Sequence, residues 1–323
     1  DHLTIQGNLA LTARGIYFTS GDSLTITNNY IAVAGDYAIF AEQADYSDIS
    51  SNTIITPSYG IRAYDCDYCS INENDINSGD GTTGPSYGIS ADQSSEIKLL
   101  NNTLVANDHG IYVPSSFKAT INQNNITGRI YWNGINFTDS DSSSVQKNYV
   151  NRTIKNGNDW NNWKYLINGD DSEGSVFKKD TLLNTGNRGD NMYNVALRCQ
   201  SSSVDSNYFD VQWQYYYHYV IWDDFNSNIT NNILNTNVGG HSTRYIIYSG
   251  SSGDYINKIE NNIINHTHYG DSWMTAAIYT SHNTIVRNNI INADYLERAI
   301  YLQGDCIVDS NTISGNYNTR VFE

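Results

Sequence analysis

Two pairs of adjacent carboxylates stand out in the sequence: Asp170 and Asp171 in NGDD, and Asp223 and Asp224 in WDDF. Hydrolysis of a glycosidic bond needs two carboxyl groups across the scissile bond, at a separation that sets the stereochemical outcome. A lyase needs a base of lowered pKa, often Lys or Arg, beside carboxylates that hold calcium against a uronate. The run GGHSTR adds His241 and Arg244, so the candidate catalytic set is Asp170, Asp171, Asp223, Asp224, His241 and Arg244. A plainer account is that these acidic pairs are solvated turn residues just after strands, like those in AYD and FTDSD. His266 and His268, two residues apart, would aim two imidazoles at one side of a strand, which suits a metal, although free surface histidines fit as well. Calcium is the one cofactor these residues raise, and only the lyase reading needs it.

A second group suits binding. Trp132 lies in GRIYWNG, Trp160 and Trp163 in NGNDWNNWKY, Trp213 and Tyr216 in VQWQYYYHY, and Trp273 in HTHYGDSWM. Sugars present apolar ring faces that stack on such side chains, and hydroxyls that bond to interleaved Asn, Asp and Arg. These six aromatics are the expected ligand-binding residues. The competing account is that they fold back over the protein's own flank.

The elements that would hold them are repeats. An Asn, or once an Asp, followed two places on by an apolar residue recurs at Asn8, Asn29, Asn52, Asn74, Asn102, Asn124, Asn148, Asp180, Asn207, Asn232, Asn262, Asn289 and Asn311. Three places before each anchor stands an apolar residue, from Ile5 and Ile26 through to Val286 and Val308, which makes about 13 turns of one repeat. A second phrase interleaves with it, as in YAIF, YGIRA, YGISA and HGIYV, and its Ile lies 13 residues before the next anchor from Ile16/Asn29 to Ile135/Asn148. Short alternating runs such as SLTIT and IYFT read as half-buried strands, and the Asn, Gly, Ser and Asp between them tolerate left-handed turns. No helical stripe is present. The length between anchor and second phrase varies from 9 residues, Asn52 to Ile61, to 19, Asn148 to Ile167. Insertions at one phase of a solenoid emerge along one edge, and five of the six Trp fall there.

The anchors resemble the asparagine ladders of right-handed parallel β-helices, the pectate-lyase-like superfamily, over essentially the whole chain. The resemblance implies an all-β, single-stranded right-handed parallel β-helix with an Asn ladder, read as one domain over residues 1–323. It does not fix an activity, because that superfamily includes lyases, hydrolases, epimerases, phage tailspikes and passive surface proteins. The order Asp pair, Gly-His, basic residue is similar to the polygalacturonase-type pattern. It departs from that pattern because no Gly follows the Gly-His, no RIK motif is present and the first Asp motif is missing.

Composition fits an extracellular, cell-surface or virion-surface setting: 34 Asp plus Glu against 18 Lys plus Arg, a net charge of -16, and only 16% charged residues. No basic patch offers itself to nucleic acid, and no apolar run is long enough to span a membrane. Cys199 and Cys306, four coils apart at about 4.8 Å per coil, are too distant to bridge, whereas Cys66 and Cys69 in DCDYC allow a local disulfide or half of a metal site. Neither end reads as a capped solenoid terminus, so the expectation is a segment of a longer secreted protein or a subunit covered end to end or by copies of itself. The functional expectation is a β-helix that engages a polysaccharide or other glycan through an aromatic-rich loop edge, with depolymerisation of an acidic polysaccharide by hydrolysis or elimination left open. The alternative is a non-catalytic structural segment of an adhesin, stalk or filament.

Overall fold

An apolar residue three places before an Asn can be buried together with it only if successive coils lie in register, and the computed structural model shows that register. It describes residues 3–7, 9–12, 15–33, 35–77, 87–106, 108–153, 163–184, 193–213, 218–238, 245–250, 256–268, 274–281 and 283–322. The chain falls into two units, Asp1–Arg152 and Thr153–Glu323. In each, short strands recur in groups of three, and every strand pairs in parallel with the strand at the same position of the next coil. Each unit is thus a parallel β-helix with three sheets, formed by what we call the first, second and third strand series.

The first series carries the apolar residue read from the sequence. Ile26, Ile49, Ile71, Leu99, Ile121 and Val145 pair in sequence in the N-terminal unit, and Phe177, Val204, Ile229, Ile259 and Val286 do so in the C-terminal unit. All are at most 1% exposed, so they form a continuous core.

The corner after this series is the Asn ladder. The residue before each anchor is left-handed, for example Asn28, Ser51, Glu73 and Asn101 at φ 54 to 55°, a conformation that costs non-glycine residues of order 1 kcal/mol or more. The ladder offsets that cost. Asn52 Nδ2 donates to Ile26 O at 2.8 Å and to Asn74 Oδ1 at 3.0 Å, while its own Oδ1 accepts from the backbone N and Nδ2 of Asn29, both at 3.0 Å. The same pattern runs through Asn207, Asn232, Asn262, Asn289 and Asn311.

The third series departs from simple alternation. In the strands Tyr59–Tyr64 and Tyr87–Asp92 the register couples Tyr59 to Tyr87 and Ile61 to Ile89 but skips the intervening glycines. A Cβ on Gly60 would lie 2.4 Å from Gly88 O and 2.4 Å from Ile76 Cγ2, so this position faces inward and must be small here. With Gly60 and Ile61 both inward, two side chains turn outward, the one two places before the inward Ile and the one just after it.

Candidate functional site

Those two outward positions carry aromatic residues in both units. In the N-terminal unit Tyr37, Tyr59, Tyr87 and His109 lie in one column, with ring centroids 4.8, 4.6 and 4.7 Å apart and interplanar angles of 34°, 7° and 3°. This spacing is the separation of parallel strands. Rings stacked in this way cover one another's faces and present mainly edges. Arg62, in the adjacent column, sits 5.4 Å over Phe40, donates from Nη1 to the Tyr37 hydroxyl at 3.0 Å, and lies 3.6 Å from Asp92. A cleft of about 380 Å³ opens beside Tyr17, Asp36, Tyr37 and Phe40.

The C-terminal unit arranges its rings differently. Its first column runs Tyr165, Val195, Tyr219, Tyr245, Ala276, Arg298, and its second runs Asn168, Arg198, Trp222, Tyr248, Tyr279, Tyr301. Tyr165, Val195 and Tyr219 form a buried base against which Trp163, Trp222, Tyr245 and Tyr248 pack half-buried. Trp222 meets Trp163 at 4.9 Å and 64°, Tyr219 at 5.0 Å and 38°, and Tyr248 at 6.2 Å and 82°. Edge-on contacts leave ring faces that stacked contacts would cover, whereas Tyr245 and Tyr248 each stack on Tyr279, at 4.6 Å and 30° and at 5.0 Å and 4°.

A charged cluster borders these rings. Arg198 sits 5.0 Å from the Trp222 ring centroid, pairs with Asp170 through Nη1, and donates from Nε and Nη2 to Asp224 Oδ2, each at 3.0 Å. One coil separates each carboxylate from the arginine, so stacking assembles the cluster. Burial pushes the Asp170 and Asp224 carboxyls above the ordinary carboxylate range, and Arg198 offsets this only in part. For Asp170, the charges of Asp171 and Asp224 add to the effect.

Asp223 points the other way. It lies in the strand His218–Asp223 in register with Cys199 and Ser249, and it is fully buried inside the coil. Ser249 Oγ donates to its Oδ2 at 2.9 Å, and Asn257 Nδ2 donates to Ser249 Oγ at 2.7 Å. Burial pushes the Asp223 carboxyl up to about 7, against the pull of its serine hydrogen bonds.

Of the residues picked from the sequence, the structure brings together Asp170, Asp224 and Trp163. Asp171 is exposed in the turn beside them, with φ 50°. The WDDF pair does not act as a pair: the strand period sends Asp223 inward and Asp224 outward, and Asp223 is not the solvated turn residue of the plainer account. Trp163 opens the strand Trp163–Asn168 and Trp213 closes Tyr208–Trp213, so both sit on strands and not in loops. Trp132 is half-buried in the N-terminal unit, edge-on to Tyr131 at 5.4 Å. Trp160, Tyr216, His241, Arg244 and Trp273 lie outside the described residues, as do the side chains of Trp213 and His268. His266 is not a surface histidine: it is 2% exposed, with Nδ1 2.8 Å from Thr236 Oγ1.

Cys66 and Cys69 are both buried free thiols, whose Sγ atoms donate to Ala41 O at 3.4 Å and Ala44 O at 3.0 Å. Among the described residues no group of three or more His, Cys, Asp or Glu is placed to hold a metal ion, and no helix is long and apolar enough to cross a membrane. Sequence reasoning missed Arg198, Trp222, Tyr245 and Tyr248. The signal for the three aromatics was present in YVIWD and YIIYS: an aromatic two places before the inward Ile and another just after it.

The family described as "Right handed beta helix region" matches residues 1–150. No curated protein matches the sequence. Among solved structures, the chain is similar to a crystal structure of PfbA, a surface adhesin of Streptococcus pneumoniae, with a TM-score of 0.59 at 12% identity over 93% of this chain and 85% of that one. A second PfbA structure gives 0.59 at 13% identity, covering 93% and 91%. A mutant tailspike protein of E. coli bacteriophage HK620, in complex with a pentasaccharide, gives 0.50 at 12% identity over 93% of this chain and 58% of the tailspike. At these identities the likeness shows the fold: the chain is a right-handed parallel β-helix.

Proposed function

We propose that this right-handed parallel β-helix protein engages glycans, at a cell or virion surface or in the extracellular space, through the outward face of the third series in its C-terminal unit. Trp163, Trp222, Tyr245 and Tyr248 serve as the stacking platform, and Asp170, Arg198 and Asp224 as the hydrogen-bonding rim. The observation that carries this reading is the tilting of the rings. The half-buried indoles of Trp163 and Trp222, met edge-on or tilted by their neighbours beside charged hydrogen-bonding groups, match a sugar's apolar faces and hydroxyls, and Tyr245 and Tyr248, stacked on Tyr279, extend the aromatic surface, whereas the stacked column of the N-terminal unit offers mostly ring edges. The platform thus lies on the sheet that the loops flank, a shift from the loop edge expected from sequence. The tailspike complex supports the reading to the extent that a protein of this fold holds an oligosaccharide.

Calorimetric titration with a panel of oligosaccharides tests it. Trp222→Ala and Tyr248→Ala should each weaken binding roughly tenfold, which corresponds to about 1.4 kcal/mol. Full affinity in the double variant, with unchanged thermal unfolding, would overturn the proposal. If no oligosaccharide binds, the structural-segment reading takes its place. Hydrolysis is a second reading, favoured by the raised carboxyls of Asp170 and Asp224 on either side of Arg198. New reducing ends that vanish in both Asp170→Asn and Asp224→Asn support it, and none on any panel member rules it out.

A further inference from the structure

We propose that this face discriminates against uronates and other anionic sugars and takes neutral or amine-bearing glycans, an inference that rests on the glycan reading above. A sheet face that captures carboxylated sugars needs an available cation, because a bidentate guanidinium is the side chain best matched to a carboxylate. Among the described side chains, the arginines on this face, Arg198 and Arg298, are already engaged. Arg198 directs Nη1 to Asp170 and both Nε and Nη2 to Asp224, with Tyr165 beside it. Arg298, further along, is 3.2 Å from Glu297 and lies 4.7 Å from the Tyr301 ring centroid.

A uronate arriving at Arg198 would have to displace Asp170 or Asp224. The displaced carboxylate would then be partly buried without its partner, which is the costly way to break an ion pair. Asp171, exposed in the same turn, lies close enough to act on both Asp170 and Asp224, so two carboxylates hold the guanidinium and a third stands beside them. The surrounding potential acts in the same direction, since the chain carries a net charge of -16 and a like-charged ligand is repelled before contact. Nothing in this arrangement penalises a hydroxyl, which donates readily to Asp170 or Asp224. An ammonium group would gain an ion pair from the same oxygens.

The test uses the full chain and three matched probes: cello-oligosaccharides, glucosamine oligosaccharides and oligogalacturonates, titrated at pH 7.5 in low and high salt. The expected order places the neutral and amine-bearing probes ahead of the oligogalacturonate by at least tenfold in low salt. Added salt should strengthen the weak oligogalacturonate binding, because it screens repulsion; capture by a free arginine would show the opposite slope. Asp224→Asn should narrow the gap between neutral and anionic probes, while Trp222→Ala should weaken the bound probes alike. Oligogalacturonate binding equal to or tighter than the neutral probe, or weakening as salt rises, would overturn the inference and leave the glycan reading intact. Failure of all three probes, and of the wider panel, would refute the glycan reading itself.

Discussion

Replacing Asp223 by Asn should flatten the pH dependence of stability in the C-terminal unit. The carboxyl titrates near 7 in the fold against 3.8 in its ordinary state, a difference of about 3 pH units, which corresponds to ~4 kcal/mol. Because the folded group holds its proton more tightly than the unfolded one, this contribution is fully present below about pH 4. It is lost as the pH rises through 7. Roughly 1.7 kcal/mol has gone by pH 5, where the unfolded carboxyl is already ionised, so about 2.6 kcal/mol remains to be lost between pH 5 and pH 8.

Asn keeps the shape and the oxygen that accepts from Ser249, and it has no proton to lose. The measurement is urea unfolding of both proteins at pH 5 and pH 8, followed by tryptophan fluorescence, since five of the six Trp lie in the C-terminal unit. The quantity of interest is the double difference, in which contributions common to both proteins cancel, including those of Asp170 and Asp224. A value near 2–3 kcal/mol is expected, with the variant gaining on the parent at the higher pH. A double difference below about 0.5 kcal/mol would mean that Asp223 is not a buried titrating group, and the inward orientation of the first WDDF aspartate would have to be abandoned.

Two further substitutions probe the frame. Asn52→Ala removes the donor to Ile26 O and the acceptor for the Asn29 backbone N; at roughly 1–3 kcal/mol for each buried group left unsatisfied, the N-terminal unit should lose about 3–5 kcal/mol by urea midpoint. The outward Thr53→Ala, next in sequence, should change it by less than about 0.5 kcal/mol. Gly60→Ala places a methyl 2.4 Å from both Gly88 O and Ile76 Cγ2; overpacking of about 1–3 kcal/mol is expected, and a neutral result in thermal unfolding would count against the inward placement of Gly60.

The frame was legible because one residue type does one job in every coil. The Asn amide offers both the donor that reaches Ile26 O and the acceptor that receives Asn29 N, so the Asn at the corner and the apolar residue three places earlier recur together. The candidate site was only half legible, for two reasons. Adjacency made Asp223 and Asp224 read as one acidic pair, yet successive residues of extended backbone point to opposite faces, and Asp223, the last strand residue, became core while Asp224, just past it, pairs with Arg198. Arg198 carries no local motif at all. It matters because coil stacking sets it between Asp170, 28 residues before it, and Asp224, 26 residues after it, a relation visible only once the register is known.

The difference between the two units turns on small residues placed within the columns. Tyr37, Tyr59, Tyr87 and His109 follow one another without a gap, and strand spacing suits rings lying face to face. In the C-terminal unit Val195 separates Tyr165 from Tyr219, and Ala276 separates Tyr245 from Arg298. Each interruption removes one ring from the first column: beside Val195, Trp222 meets Tyr219 tilted and Tyr248 edge-on, while beside Ala276 Tyr245 stacks across on Tyr279 instead. On the proposed reading, a complete aromatic ladder spends its ring faces on one another, and a broken one frees some of them for a ligand. Restoring the ladder with Val195→Tyr should favour stacking with Tyr165 and Tyr219, raise the thermal midpoint of the C-terminal unit and weaken oligosaccharide binding. A variant that gained stability with undiminished binding would show that open ring faces are not what the ligand uses.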